Sequence, residues 1–112
     1  MTRIVITGAC GKMGRVINDI VNTRDDCEIT AGIDIAGEQY ADFPVYKKLF
    51  DLPEKPDVII DFSHPSLLDE LLDYCKINNV PVVIATTGYT DEQIKQIKTA
   101  AGQIPVFFTF NM

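Results

Sequence analysis

The chain has no tryptophan and a single histidine, His64. One imidazole cannot build a metal site alone, and the cysteines do not help. Cys10, Cys27 and Cys75 are odd in number, far apart and free of any C-x-x-C pattern. Neither a disulfide framework nor a zinc site is expected, and this usage suits a reducing, cytoplasmic compartment. No apolar run approaches the roughly 18 residues of a membrane helix. No basic leader precedes a cleavable apolar segment, so no signal peptide is expected. Positive charge is also short: Lys+Arg number 10 against 16 Asp+Glu, a formal net charge of −6. General nucleic-acid binding needs a basic face and is not expected. The basic residues are scattered, apart from Lys47-Lys48.

What remains is ordinary globular composition, 46% hydrophobic and 23% charged over 112 residues, enough for one domain. Residues 3–7 (RIVIT) are apolar and β-branched, the pattern of a strand buried on both faces. After a glycine loop, Met13, Val16, Ile17, Ile20 and Val21 recur at helical spacing, predicting a helix over 12–23 with one apolar stripe. Residues 28–34 (EITAGID) read as a second strand ending on a carboxylate. Gly37, Pro44, Pro53 and Pro56 break up residues 35–56, where 44–52 could hold a short strand or one helical turn. Residues 57–62 (DVIIDF) form a strand. Pro65 then sits in the first turn of a helix, with Ser63 or His64 near its cap. Leu67, Leu68, Leu71, Leu72 and Cys75 make its buried stripe. Residues 80–85 (VPVVIA) are another strand. Thr90 and Gln93 form a T-x-x-Q capping box for a helix carrying Ile94, Ile97 and Ala101. Residues 105–110 (PVFFTF) are the last strand. Buried strands alternating with amphipathic helices predict an α/β fold, a doubly wound, Rossmann-like parallel sheet in one domain. The chain stops at Asn111-Met112, directly after a buried-type strand, and reads as the front part of a longer protein.

Gly8, Gly11 and Gly14 space the loop as G-x-x-G-x-x-G, one residue longer between the first two glycines than the usual dinucleotide fingerprint. The context, buried strand into helix, is the one the fingerprint requires. Gly8 can make the tight turn. Gly11 lets the backbone approach a pyrophosphate, and Gly14 lets helix and sheet pack closely. N–H groups at the helix start, aided by the helix dipole, would face the phosphates. Ala9, Cys10 and Met13 complete the loop, and Lys12 adds a cation. Cys10 stands where a thiol pKa can fall, but reads better as a small residue filling a tight loop. The competing reading of the whole loop is a plain strand-to-helix turn. Asp34, 20 residues past Gly14 at a strand end, is suited to accept from the adenosine ribose hydroxyls. The competing reading is a solvated turn residue. Ile35 and Ala36 follow it, not arginine. A 2′-phosphate would meet a carboxylate with no evident cation except Lys12, which favours NADH over NADPH.

Three further stretches end strands: Asp61-Phe62-Ser63-His64-Pro65, Ala85-Thr86-Thr87-Gly88 and Thr109-Phe110-Asn111-Met112. In a doubly wound sheet the C-terminal strand ends share one edge, so all three should join Gly8–Gly14 at one cleft. Together these motifs resemble the N-terminal nucleotide-binding domain of dihydrodipicolinate reductase, from the lysine and diaminopimelate pathway. That family's G-x-x-G-x-M-G is matched by Gly8, Gly11, Met13 and Gly14. Its D-F-[ST]-x-P is matched by Asp61, Phe62, Ser63 and Pro65. Its G-T-T-G appears as Ala85-Thr86-Thr87-Gly88, with alanine for the first glycine. Its A-x-N-[FM]-S is matched in part by Asn111-Met112.

The resemblance spans the whole chain and implies the NADH- or NADPH-binding part of an oxidoreductase, a homotetramer at full length. It implies cofactor contacts at Gly8–Gly14, Asp34, Phe62, Ser63, Ala85–Gly88 and Thr109–Met112. Thr86 and Thr87, with backbone from 109–112, would place the nicotinamide ribose and ring. The family's His-His pair, lysine and substrate-binding G-T segment belong to a second domain, so no catalytic residue and no turnover are expected of this chain. His64 falls on the motif's variable position and is read as a cap or loop residue. Asp61 is read as holding its loop by accepting from backbone N–H groups. Two other readings fit part of the pattern. An extended short-chain dehydrogenase or epimerase needs a Tyr-x-x-x-Lys pair, which none of Tyr40, Tyr46, Tyr74 and Tyr89 starts. A non-catalytic dinucleotide module, or the nucleotide half of a ligase, would favour coenzyme A or an adenine nucleotide over NADH.

Overall fold

The computed structural model describes residues 2–35, 39, 41, 43–86 and 88–108. At its centre lies β1 (Thr2–Thr7), in which Ile4, Val5, Ile6 and Thr7 are all buried. Alternate side chains of a strand point to opposite faces. Val5 joins one hydrophobic cluster while Ile4 and Ile6 join another, so the sheet is covered on both sides.

Around β1 run α1 (Lys12–Val21), β2 (Cys27–Ile33), β3 (Val45–Tyr46), β4 (Val58–Asp61), α2 (Leu68–Asn78), β5 (Val82–Ile84), α3 (Asp91–Ala101) and β6 (Val106–Phe108). The six strands are parallel in the order β3-β2-β1-β4-β5-β6. The expected doubly wound sheet is therefore present. The ambiguous stretch holds both expected alternatives, since β3 is followed by a 3₁₀ turn over Leu49–Asp51.

The strand order explains which helix covers which face. From β1 the chain moves outward to β2 in one direction, and from β4 to β5 and β6 in the other. Parallel crossovers are right-handed, so reversing direction switches the face on which the helix lies. Ile17 and Val21 of α1 pack with Ile4 and Ile6. Leu68, Leu71, Leu72 and Cys75 of α2 and Ile97 and Ala100 of α3 pack with Val5, Ile59 and Ile84 on the other face.

The apolar stripe of α1 is only partly buried. Gly14 and Val21 are buried and Ile17 is half-buried, whereas Met13, Val16 and Ile20 are 48%, 42% and 52% exposed. The reason is packing geometry. A Cβ on Gly14 would run into the Ala9 backbone, so the helix lies hard against the loop and touches the sheet along a narrow seam. Among the described residues no second helix flanks α1 on that face, whereas α2 and α3 flank each other.

Helix boundaries follow local chemistry. Pro65 begins a 3₁₀ turn over Pro65–Leu67 that leads into α2. Asn79 ends α2 in the left-handed region at φ 54°. Thr90 Oγ1 accepts from Gln93 N–H at 3.2 Å, and Gln93 Oε1 accepts from Thr90 N–H at 3.0 Å, completing the expected capping box. Thr90→Ala removes one half of this box and should lower stability by about 1 kcal/mol, read as a shifted urea midpoint with unchanged slope.

Candidate functional site

Every strand of a parallel sheet ends at the same edge, and here that edge carries the polar residues. Thr7 ends β1 and Asp61 ends β4, paired directly across the sheet. Both are buried. The Asp61 carboxylate is fully enclosed and accepts five hydrogen bonds. Oδ1 receives the Thr7 hydroxyl, the Ser63 hydroxyl at 2.5 Å and the Ser63 N–H at 3.2 Å. Oδ2 receives the Thr86 hydroxyl at 2.8 Å and the Tyr89 hydroxyl at 3.2 Å. Five donors and no acceptor suit a carboxylate, whose oxygens only accept. Among the described residues no lysine or arginine pairs with it. The expectation that Asp61 holds its loop through backbone N–H groups is met at Ser63. The sequence does not announce the hydroxyls of Thr7 and Tyr89; a threonine closing an otherwise apolar strand is the signal for one of them.

This network shapes the glycine loop. Gly8 turns at φ 72°, and a Cβ there would lie 2.6 Å from the Phe62 carbonyl oxygen, so only glycine fits. Gly8 and Ala9 donate to the Ile33 carbonyl at 2.7 and 3.2 Å, and Gly11 N–H donates to Gly8 O at 3.0 Å. Cys10 N–H donates to Asp34 Oδ2 at 3.0 Å. Asp34 thus has a structural task beside the expected ribose contact: it ties the loop to the end of β2. Gly11 is the N-cap of α1 and no side chain caps the helix. The first-turn N–H groups of Lys12, Met13 and Gly14 are consequently available to an anion, as helix N-termini are.

A cavity of about 260 Å³ opens beside this loop. Thr7, Gly8 and Gly11 form one wall, Asp34 and Ile35 a second, and Phe62, Ser63 and His64 a third. Leu49, Leu67 and Leu71 supply an apolar lining, and Lys47 and Glu70 add one charge of each sign. Of the residues expected at the site, Gly8, Gly11, Asp34, Phe62 and Ser63 meet here. Lys12 and Met13 are exposed at the start of α1, outside this cavity. Cys10 is half-buried and Ala9 fully buried beneath the loop. His64 is a cap as expected: its Nδ1 accepts from Ser66 N–H at 3.1 Å.

The next strand end is tied to the same network. The single hydroxyl proton of Thr86 faces Asp61 Oδ2 at 2.8 Å and the Ser63 carbonyl at 3.0 Å, and the residue is buried. Its hydroxyl proton is thus engaged within the protein, and the hydroxyl oxygen can still accept. Ala85 N–H donates to Asp61 O at 2.9 Å. Asn79 is the sole non-glycine with positive φ among the described residues, so alanine at 85 introduces no strain. Gly88 does require glycine, with φ 87°. Thr87, Thr109, Phe110, Asn111 and Met112 lie outside the described residues.

The family model for dihydrodipicolinate reductase, N-terminus, matches residues 2–112. The chain belongs to this family. It is 40% identical over its whole length to a 4-hydroxy-tetrahydrodipicolinate reductase of Clostridium novyi (strain NT), of which it covers 44%. A dipicolinate-bound dihydrodipicolinate reductase from Paenisporosarcina sp. TG-14 superposes with a TM-score of 0.75 at 34% identity, over 90% of this chain and 43% of that one. An acetyl-coenzyme A synthetase of Ca. Korarchaeum cryptofilum has a TM-score of 0.74 at 17% identity over 94% of this chain and 25% of its own, a likeness of fold alone. The chain therefore spans less than half the length of the curated reductases it matches. Family membership sets aside the short-chain dehydrogenase reading.

Three outcomes follow for the residues around Asp61. Burial, and secondly the Asp61 charge, push the Cys75 thiol from its usual 9.0 up to about 12. Between those values the unfolded chain releases a proton that the folded chain keeps, so stability should fall as pH rises through that window. At neutral pH a thiol reagent should reach Cys75 only on unfolding, checked by mass spectrometry of labelled peptides. Tyr89→Phe keeps the edge-on ring contact with Phe108 at 5.8 Å but removes a donor to a buried carboxylate. It should cost about 1.5–3 kcal/mol in urea denaturation.

Proposed function

We propose that this chain is the nucleotide-binding part of a reductase that transfers hydride from NADH or NADPH to a cyclic dihydrodipicolinate-type substrate in lysine and diaminopimelate biosynthesis. The observation that carries the reading is one continuous surface. It runs from the uncapped N-terminus of α1, past Gly8 and Gly11, into the cavity beside Asp34. An anion site, a close backbone approach and a ribose-sized recess with a carboxylate on its wall suit the adenosine diphosphate half of a dinucleotide. Family membership adds the reaction class.

The residues present fit such a group. The helix start would hold the pyrophosphate, Asp34 the adenosine ribose, and the apolar wall of Ile35, Leu67 and Leu71 the adenine. The nicotinamide half would extend along the strand ends toward the Ala85–Gly88 turn and residues 109–112. When bound, the nicotinamide supplies hydride. This chain binds and orients; the substrate and the proton donor would belong to a second domain that closes over the strand ends. The whole reductase would act as a cytoplasmic homotetramer.

Calorimetric titration of the purified chain with NADH and NADPH tests this directly. Cofactor fluorescence is a second readout, undisturbed by tryptophan, which the chain lacks. Binding without reductase turnover is expected. Asp34→Ala should abolish it, through both the ribose and the loop tie to Cys10. Asp34→Asn, which can still accept the Cys10 N–H, should retain part of it. Failure to bind either cofactor, or tighter binding of coenzyme A than of NADH, would overturn the reading.

A further inference from the structure

The pairing of β2 with β3 brings a second charge to the carboxylate that the adenosine ribose would meet. Ile33 lies opposite Tyr46, and Asp34 N–H donates to the Tyr46 carbonyl at 2.9 Å. The next residue on β3's side is Lys47. Paired strands run about 4.8 Å apart, so Asp34 and Lys47 leave the sheet side by side, and both line the cavity. Lys47 is exposed and makes no ion pair or hydrogen bond among the described residues. Lys48 does not line the cavity. The other ionisable groups on its walls are Glu70 and His64.

We propose that Lys47 is the residue that meets a phosphate at the 2′ position of the adenosine ribose. The inference rests on the cofactor reading above. A 2′-phosphate carries about −1.5 to −2 charge at neutral pH. Beside Asp34 alone it would be repelled. An ammonium just past the end of the adjoining strand offsets that repulsion, and its long stem lets it stand aside when the 2′ position is a bare hydroxyl. The arginine that is missing after Asp34 is thus replaced from another strand, 13 positions along the chain. Lys12 stands at the helix start, outside the cavity, and would serve the pyrophosphate, which both cofactors share.

The test titrates the chain with 5′-AMP, 2′,5′-ADP, NADH and NADPH by calorimetry. Lys47→Ala should weaken 2′,5′-ADP and NADPH about five- to tenfold and leave 5′-AMP and NADH within about twofold. The penalty should shrink as salt rises. Lys48→Ala should change none of the four, and Lys12→Ala should weaken NADH and NADPH alike. The proposal is overturned if Lys47→Ala affects both cofactors equally, or neither, or if Lys12→Ala removes NADPH selectively. A chain that binds 5′-AMP and NADH but shows any of these outcomes overturns only the role of Lys47. A chain that binds none of the four overturns the cofactor reading with it.

Discussion

The Asp61 carboxylate is the constraint on which this edge of the molecule depends. It is fully buried, and its hydrogen-bond partners come from the end of β1, the loop after β4 and the segment after β5. A buried carboxylate left without donors is costly. Its presence therefore forces those three segments to converge, and they are the segments that border the cleft. The Phe62 carbonyl, held by the same loop, fills the space that a side chain at residue 8 would need. The glycine loop and the Asp61 network each require the other's geometry.

Around that point the parallel sheet supplies the rest. Winding outward from the centre in two directions puts α1 on one face and α2 and α3 on the other. The gap between the two windings lies where β1 and β4 adjoin. The cavity opens there, as ligand sites do in doubly wound sheets. Asp34 closes the loop from the β2 side by accepting the Cys10 N–H, so one carboxylate both supports the loop and lines the cavity.

Much of this was legible in the residues. Continuous apolar runs and the 3.6 period placed the other five strands and the three helices to within a few positions, because burial on both faces of a sheet, or along one stripe of a helix, is what forms them; β3 and the 3₁₀ turn after it lie in the stretch left open between a strand and a helical turn. The glycines at 8 and 14 were legible because each stands where the backbone needs space. Other features were less so. The stripe Met13, Val16 and Ile20 has helical spacing, yet spacing does not say how wide a seam the sheet offers. The Thr86 hydroxyl donates to Asp61, a partner 25 positions away that no local pattern names. Tyr89 starts no Tyr-x-x-x-Lys pair and donates instead to the same carboxylate.

By itself, the sequence determined the α/β alternation, the position of the phosphate loop and the carboxylate ending β2. These follow from local periodicity and from steric rules acting over a few residues. Only the tertiary structure decided that Thr7, Ser63, Thr86 and Tyr89 share one buried carboxylate, and that Lys47 stands beside Asp34. Those meetings depend on strand order and register. Both are set by long-range packing of the two sheet faces, which no local pattern encodes.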